Sequence, residues 1–331
     1  MYKVFFITFG CKVNQYETDS MRSEFVSQGF VETDSADDAD IIIINSCTVT
    51  GSGDSKSLYS VRKMRKIAPN AIIALTGCLP QAAPEIAAKI PEADIVAGTK
   101  DRRKLPELVR SVIAERRHIV AIDQYGAHDE FELTRFEGAQ DKTRAFVKIQ
   151  DGCNQFCSYC IIPYARGRLR SKPIDALKDE ISRLAQSGRR EIVLVGINLA
   201  FYGVEFGLRL ADAVEVCCKT EGIERVRLGS LEPEILSDED LRRLAALPEL
   251  CPQFHLSLQS GSENTLKAMN RKYTAADYFT LTQKIRAAFP NASFTTDIMV
   301  GFPTETEEDF AESMRLSLIH ISEPTRQEAI S

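Results

Sequence analysis

The sequence predicts an α/β protein, an N-terminal parallel-sheet α/β domain followed by an incomplete, barrel-like (β/α) domain. Three observations predict it. Apolar runs too continuous for a half-exposed strand, such as Asp40-Ile-Ile-Ile-Ile-Asn45, alternate with helix-length segments, the pattern of parallel sheets covered on both faces. Cysteine or glycine follows one strand end after another, and such sheets bind ligands beyond the carboxyl ends of their strands. The chain's 331 residues, 44% of them hydrophobic, suffice to bury two cores.

The first domain, residues 1–117, reads as strand and helix in turn. Lys3–Phe9 is a short apolar run ending at Gly10-Cys11, and Asn14–Gln28 is a helix. Asp40–Asn45 is a strand ending at Ser46-Cys47, followed by a basic helix near Ser55–Ile67. Asn70–Thr76 ends at Gly77-Cys78, with a helix from about Gln81. Asp94–Ala97 and Asp101–Arg116 add one more unit. Residues 118–143 lose periodicity and read as a linker with a short strand at Ile119–Ile122. The second domain, residues 144–317, carries strands at Ala145–Gln150, Glu191–Val195, Arg225–Leu228, Phe254–Leu258 and Ser293–Val300. Helices lie near Ile174–Gln186, Leu210–Thr220, Asp238–Leu247, Ala275–Phe289 and Glu305–Leu316. Five such units suggest a barrel-like sheet with active-site groups at its strand ends.

Composition narrows the function. A net charge of −6 gives no general attraction for nucleic acid, so any RNA contact has to be local. No segment approaches the length of a membrane span and the N-terminus reads as a strand rather than a signal peptide, so a cytoplasmic protein without a membrane partner is expected. Nine cysteines, an odd number, fit reduced thiols held by metal better than a disulfide framework. Cys217, Cys218 and Cys251 read as structural thiols, and His255 as a core imidazole.

Two sets of three cysteines remain. Cys153, Cys157 and Cys160 stand in a CxxxCxxC spacing with no nearby fourth ligand. Three thiolates suit a [4Fe–4S] cluster with one iron left open, while a three-cysteine zinc site is the competing reading. Cys11, Cys47 and Cys78 each follow a strand, and in a parallel sheet all three emerge on one edge. A second cluster site is the natural reading; three buried small hydrophobes is the alternative. Arg166, Arg168, Arg170 and Lys172 directly follow the CxxxCxxC loop and are the expected phosphate contacts.

From Gly152 to Gly167 the sequence matches GCNxxCxxCxIPxxRG and so resembles the radical S-adenosylmethionine (SAM) methylthiotransferases. The segments around Gly196-Ile-Asn198, His255-Leu-Ser-Leu-Gln259-Ser-Gly261 and Asp297-Ile-Met-Val-Gly301 look like family segments. The resemblance, spanning about Lys3–Phe310, implies an incomplete radical-SAM (β/α) barrel, two [4Fe–4S] clusters on the two cysteine triplets, and SAM. Asn198, Gln259, Gly261 and Gly301 are the residues it suggests for SAM. It decays after Phe310; residues 318–331 are an atypical tail, and the RNA-binding TRAM domain expected after the barrel is absent. A truncated chain is therefore expected.

The opening Thr8-Phe-Gly-Cys-Lys-Val-Asn-Gln-Tyr-Glu-Thr18 looks like the threonylcarbamoyladenosine-tRNA branch of that family. The implied substrate is the adenine at position 37, in the tRNA anticodon loop. Its C2–H is neither acidic nor attached to a leaving group, so the cofactor has to supply a radical. A low-potential electron donor such as a flavodoxin is the implied partner. Isopentenyladenosine-tRNA or a ribosomal protein as substrate, and a zinc-binding module without activity, are the other readings.

Overall fold

Why the first sheet sits between two layers is visible in one strand. In the computed structural model, which describes residues 1–134, 144–233 and 236–320 (backbone only for 318–320), Ile41–Ile44 are all fully buried. Ile41 and Ile43 face one apolar cluster, with Val4, Phe25 and Val109, and Ile42 and Ile44 the opposite one, with Val61, Met64 and Ile73. Cutting one of these to alanine costs about 2–5 kcal/mol.

The elements of this first unit are β1 Lys3–Thr8, α1 Lys12–Ser27, β2 Val31–Glu32, β3 Ile41–Ser46, α2 Gly51–Ile67, β4 Ile72–Gly77, α3 Cys78–Ala82, α4 Pro84–Ala87, β5 Ile95–Ala97, α5 Leu105–Ala114 and β6 Ile119–Ala121. Its strands are parallel in the order β2-β1-β3-β4-β5-β6. The order reverses between β1 and β3, where doubly wound sheets bind their ligands. The expected helix from Gln81 is broken instead into α3 and α4, because Pro84 lacks the N–H that would continue it. The short strand expected inside the linker is β6, the sixth strand of this sheet. Linker residues 135–143 and tail residues 321–331 lie outside the described residues.

The second unit comprises β7 Arg144–Lys148, β8 Gln150–Asp151, α6 Ile162–Arg166, β9 Arg170–Ser171, α7 Ile174–Gln186, β10 Glu191–Val195, α8 Leu210–Cys218, β11 Arg225–Leu228, β12 Ser230–Leu231, α9 Asp238–Ala245, β13 Gln253–Leu256, α10 Glu263–Ala268, α11 Ala275–Ala288, β14 Ser293–Thr295 and α12 Glu307–His320. β11-β10-β7 and β12-β13-β14 are two parallel three-stranded pieces. They are joined at Gly229, whose N–H bonds Leu194 O (2.8 Å) just before the chain turns to pair with β13. The result is an open, incomplete barrel. The expected strand Ser293–Val300 is shorter, ending at Thr295. A two-residue antiparallel ribbon, β8 against β9, closes the base of the loop between them.

Helix α1 joins the two units. Val13 and Tyr16 belong to the barrel's apolar core, while Asn14, Glu17, Thr18, Asp19 and Ser20 are buried polar residues on the same helix. A helix with so polar a buried surface needs partners for every group.

Candidate cluster sites and the charged seam between them

The CxxxCxxC loop leaves β8 at Gly152, whose φ of +69° suits glycine and whose added Cβ would overlap Arg168 O. Cys153 N–H bonds Gly167 O (3.1 Å) and Cys160 N–H bonds Cys157 O (2.9 Å), folding the loop back on itself. Two of the sulfurs have N–H groups turned toward them. Gln155 N (3.5 Å) and Asn198 Nδ2 (3.7 Å) donate to Cys153 Sγ, and Arg271 Nη1 (3.2 Å) donates to Cys157 Sγ. Burial pushes the Cys153 and Cys160 thiols up, as does the proximity of the loop's other sulfurs.

Asn198, expected for SAM, lies at this site and is 4% exposed. Its backbone N–H bonds Gln150 Oε1 (2.6 Å), and its Oδ1 is buried without a hydrogen-bond partner among the described residues. An orphaned acceptor beside Cys153 fits a ligand that brings a donor. Gln259 lies three residues beyond β13 in a left-handed conformation (φ +64°), bonded through its backbone to Asp297 and Met299. Gly301 (φ +72°) is exposed and open on its Cβ side. Gly261 departs from expectation. A Cβ there would lie 2.6 Å from Ser313 Cα, and its N–H bonds Ser313 Oγ, so the missing side chain serves packing against α12 rather than approach to a ligand.

The second triplet stands at the carboxyl edge of the first sheet. Cys11 caps α1 and is exposed; Cys47 follows β3 and Cys78 begins α3, both buried. The parallel register pairs Thr8 with Asn45 and Ser46 with Gly77, so the three strand ends are level. Asn14 Nδ2 ties two of them by donating to Phe9 O (2.7 Å) and Ser46 O (2.9 Å). A Cβ on Gly10 (φ +95°) would lie 2.7 Å from Cys47 Sγ, so only glycine lets these turns meet. Burial pushes the Cys78 thiol up to about 11 against the pull of Arg166, and Cys11 adds to the rise. Among the described residues no three His, Cys, Asp or Glu side chains close on a single-ion site, so fit rests on the donor sets themselves. Three thiols in each set, with no fourth ligand among the described residues, suit clusters with an open iron.

Between the triplets runs a buried seam of charge. Arg166 is fully buried and donates to Glu17 Oε1 (2.7 Å) and Oε2 (3.0 Å), Asn14 Oδ1 (2.6 Å) and Asp151 Oδ1 (3.2 Å). Lys148 bridges Glu17 (2.8 Å) and Asp151 (3.0 Å), and Arg102 lies 3.0 Å from Glu17. Lys172 pairs with Glu180 and Tyr16, and Arg170 lies over the Tyr125 ring. Burial alone would raise the Glu17 pKa, but Arg102, Arg166 and Lys148 outweigh it and hold Glu17 down at about 2.

This seam corrects the expected phosphate contacts. Arg166, Arg170 and Lys172 are buried and paired with carboxylates or an aromatic ring, because interior anions compete better for them than solvent does. Arg168 alone of the four is exposed. It lines a cleft of about 520 Å³ with Gln81, Tyr125, Cys153, Phe156 and Tyr164. Phe156 and Tyr164 are exposed there and meet edge to face at 6.2 Å. Sequence reasoning missed Glu17, Lys148, Asp151 and Arg271. The available signal was polar residues inside apolar patterns, as in Phe146-Val-Lys-Ile-Gln-Asp151.

The profile of the Radical SAM superfamily matches residues 147–317, and that of Uncharacterized protein family UPF0004 matches residues 3–98. The chain is 38% identical over 315 residues to the threonylcarbamoyladenosine tRNA methylthiotransferase MtaB of Aquifex aeolicus, covering 94% of this chain and 76% of that one. It is also 38% identical over 325 residues to the tRNA-2-methylthio-N(6)-dimethylallyladenosine synthase of Clostridium novyi, covering 95% and 71%. Among solved structures, the radical S-adenosylmethionine methyltransferase TsrM of Kitasatospora setae aligns with a TM-score of 0.70 at 14% identity, over 96% of this chain and 71% of that one. That likeness is one of fold.

Proposed function

From the premise that the chain belongs to the radical SAM superfamily and, within it, to the methylthiotransferases, we propose that it methylthiolates C2 of N6-threonylcarbamoyladenosine at position 37 of tRNA. Membership implies SAM and a [4Fe–4S] cluster, and Cys153, Cys157 and Cys160 would hold that cluster. Cys11, Cys47 and Cys78 would hold a second one, which would supply the sulfur. Together these groups supply, when bound, a radical able to take the C2 hydrogen and the methylthio group that replaces it.

The observation that carries the reading is the joining of two three-thiol sites through α3 and α6. Helix α3 begins at Cys78, α6 begins two residues after Cys160, and the two helices pack together. The chain's own residues then have distinct tasks. Asn198 and Gln259 orient SAM at the strand ends. Arg166 and Glu17 hold the two sites at a fixed separation. Phe156 and Tyr164 offer exposed faces on which bases of a looped-out strand stack, and Arg168 meets phosphate. A low-potential electron donor is the second partner. Among the described residues no helix is long and apolar enough to cross a membrane.

Both tRNA branches have relatives at 38% identity, so the branch rests on the Gly10-Cys11-Lys12-Val13-Asn14 opening. The deciding experiment offers the anaerobically reconstituted protein tRNA carrying threonylcarbamoyladenosine, tRNA carrying dimethylallyladenosine, and ribosomal protein, each with SAM and a reductant. Mass spectrometry should find a methylthio group in place of hydrogen on the first alone. Modification of either of the others in its place would overturn the assignment.

A further inference from the structure

We propose that Arg271 is a positioning residue for the barrel cluster: its guanidinium hydrogen-bonds the Cys157 sulfur and, set against Glu232, tunes the cluster's reduction potential. This rests on the reading of the CxxxCxxC loop as a [4Fe–4S] site.

The side chain of Arg271 is only 5% exposed. Nη1 donates to Cys157 Sγ at 3.2 Å, Nη2 pairs with Glu232, Nε donates to Tyr273 Oη (3.2 Å), and the guanidinium lies 4.9 Å from the centre of the Tyr273 ring. Tyr273 is itself fixed by bonds to Ser257 O and Leu258 O. A guanidinium held on three sides has one available orientation, and that orientation faces a cluster ligand.

The loop does not need this side chain as an anchor. Ser158 N–H bonds Met269 O (3.1 Å), Ser158 Oγ bonds Ala268 O (2.9 Å), and Asn270 Nδ2 bonds Phe156 O (2.9 Å). These bonds already fasten the turn after α10 to the loop, so the charge of Arg271 does something other than hold it. The donors at Cys153 are neutral amides at 3.5 and 3.7 Å, whereas Cys157 receives the shorter, charged one. Charge-assisted bonds are the stronger kind, and hydrogen bonds and charge near the sulfurs help set an iron–sulfur potential. A cation beside the sulfur stabilises the added electron and raises the potential. The Glu232 carboxylate, beside the same guanidinium, offsets part of that rise.

The test uses the full chain, reconstituted anaerobically with iron and sulfide, and the variants R271Q, R271K and E232Q. Iron and sulfide are counted. Mediated redox titrations are then followed by electron paramagnetic resonance without SAM, and the barrel cluster is identified as the signal that changes when SAM is later added. R271Q should lower the reduced-to-oxidised ratio at a given potential about tenfold, which for one electron is about 59 mV. E232Q should move the midpoint the opposite way, and R271K should stay near the parent. Unchanged midpoints in R271Q and E232Q, or shifts of both in one direction, overturn the proposal. If R271Q fails to retain iron, E232Q decides alone: a raised midpoint supports the proposal and an unchanged one overturns it. A parent chain without any SAM-responsive cluster overturns the site reading itself, and this inference with it, and is recognised by that missing signal.

Discussion

Gly152 is the narrowest point of the barrel site, because both its backbone angle and the space beside it exclude a side chain. Gly152→Ala should therefore displace the loop and cut the iron bound by the barrel triplet, while the iron of the other triplet stays; iron analysis and SAM-responsive spectra check it. Asn198→Ala removes the orphaned Oδ1 acceptor and should weaken SAM binding by about tenfold, equivalent to about 1.4 kcal/mol, measured by titration. At this scale legibility depends on range. That three thiols share one loop is a local pattern and could be read directly. The fate of the basic residues could not, since Arg166 is buried by a carboxylate 149 positions away. Charge runs are usually solvated, and nothing in Arg166–Lys172 itself announces Glu17, Asp151 or Glu180 as partners.

At the scale of elements, α1 decides how the units meet, and Glu17 is its central charge. Its pKa is depressed from an ordinary 4.5 to about 2, so the stabilisation it brings is complete above pH 4.5 and is lost as the pH falls toward 2. Asp151, likewise held down once Lys148, Arg166 and Arg170 outweigh its burial, acts in the same direction. Glu17→Gln leaves Arg166, Lys148 and Arg102 short of a counter-charge and should cost about 3–5 kcal/mol at neutral pH. The gap between denaturant melts of parent and variant should narrow steadily from pH 4.5 down to pH 2.5; a constant gap would show that Glu17 is not the titrating group. The order of strands and helices was legible because the first sheet's central strands are apolar on both faces. Helices α6 and α10, five and six residues long, were not, being shorter than the periodicity needed to reveal them. The bend at Gly229 was equally hidden, since a glycine in a strand looks the same whether it ends pairing or redirects it.

At the scale of the molecule, each cysteine triplet comes from one unit alone. Replacing Cys11, Cys47 and Cys78 by alanine should remove one cluster's worth of iron and leave the SAM-responsive signal; replacing Cys153, Cys157 and Cys160 should do the converse. Loss of all iron in either variant would mean one shared site. The division has a bearing on how the protein is made. Synthesis runs from the N-terminus, so the last cysteine of the first triplet, Cys78, is added about 75 residues before Cys153. On the proposed reading, iron delivery to the two halves is separable in time, with neither half serving as a template for the other. The Glu17–Arg166 ion pair, by contrast, needs both units, since its two partners lie 149 positions apart.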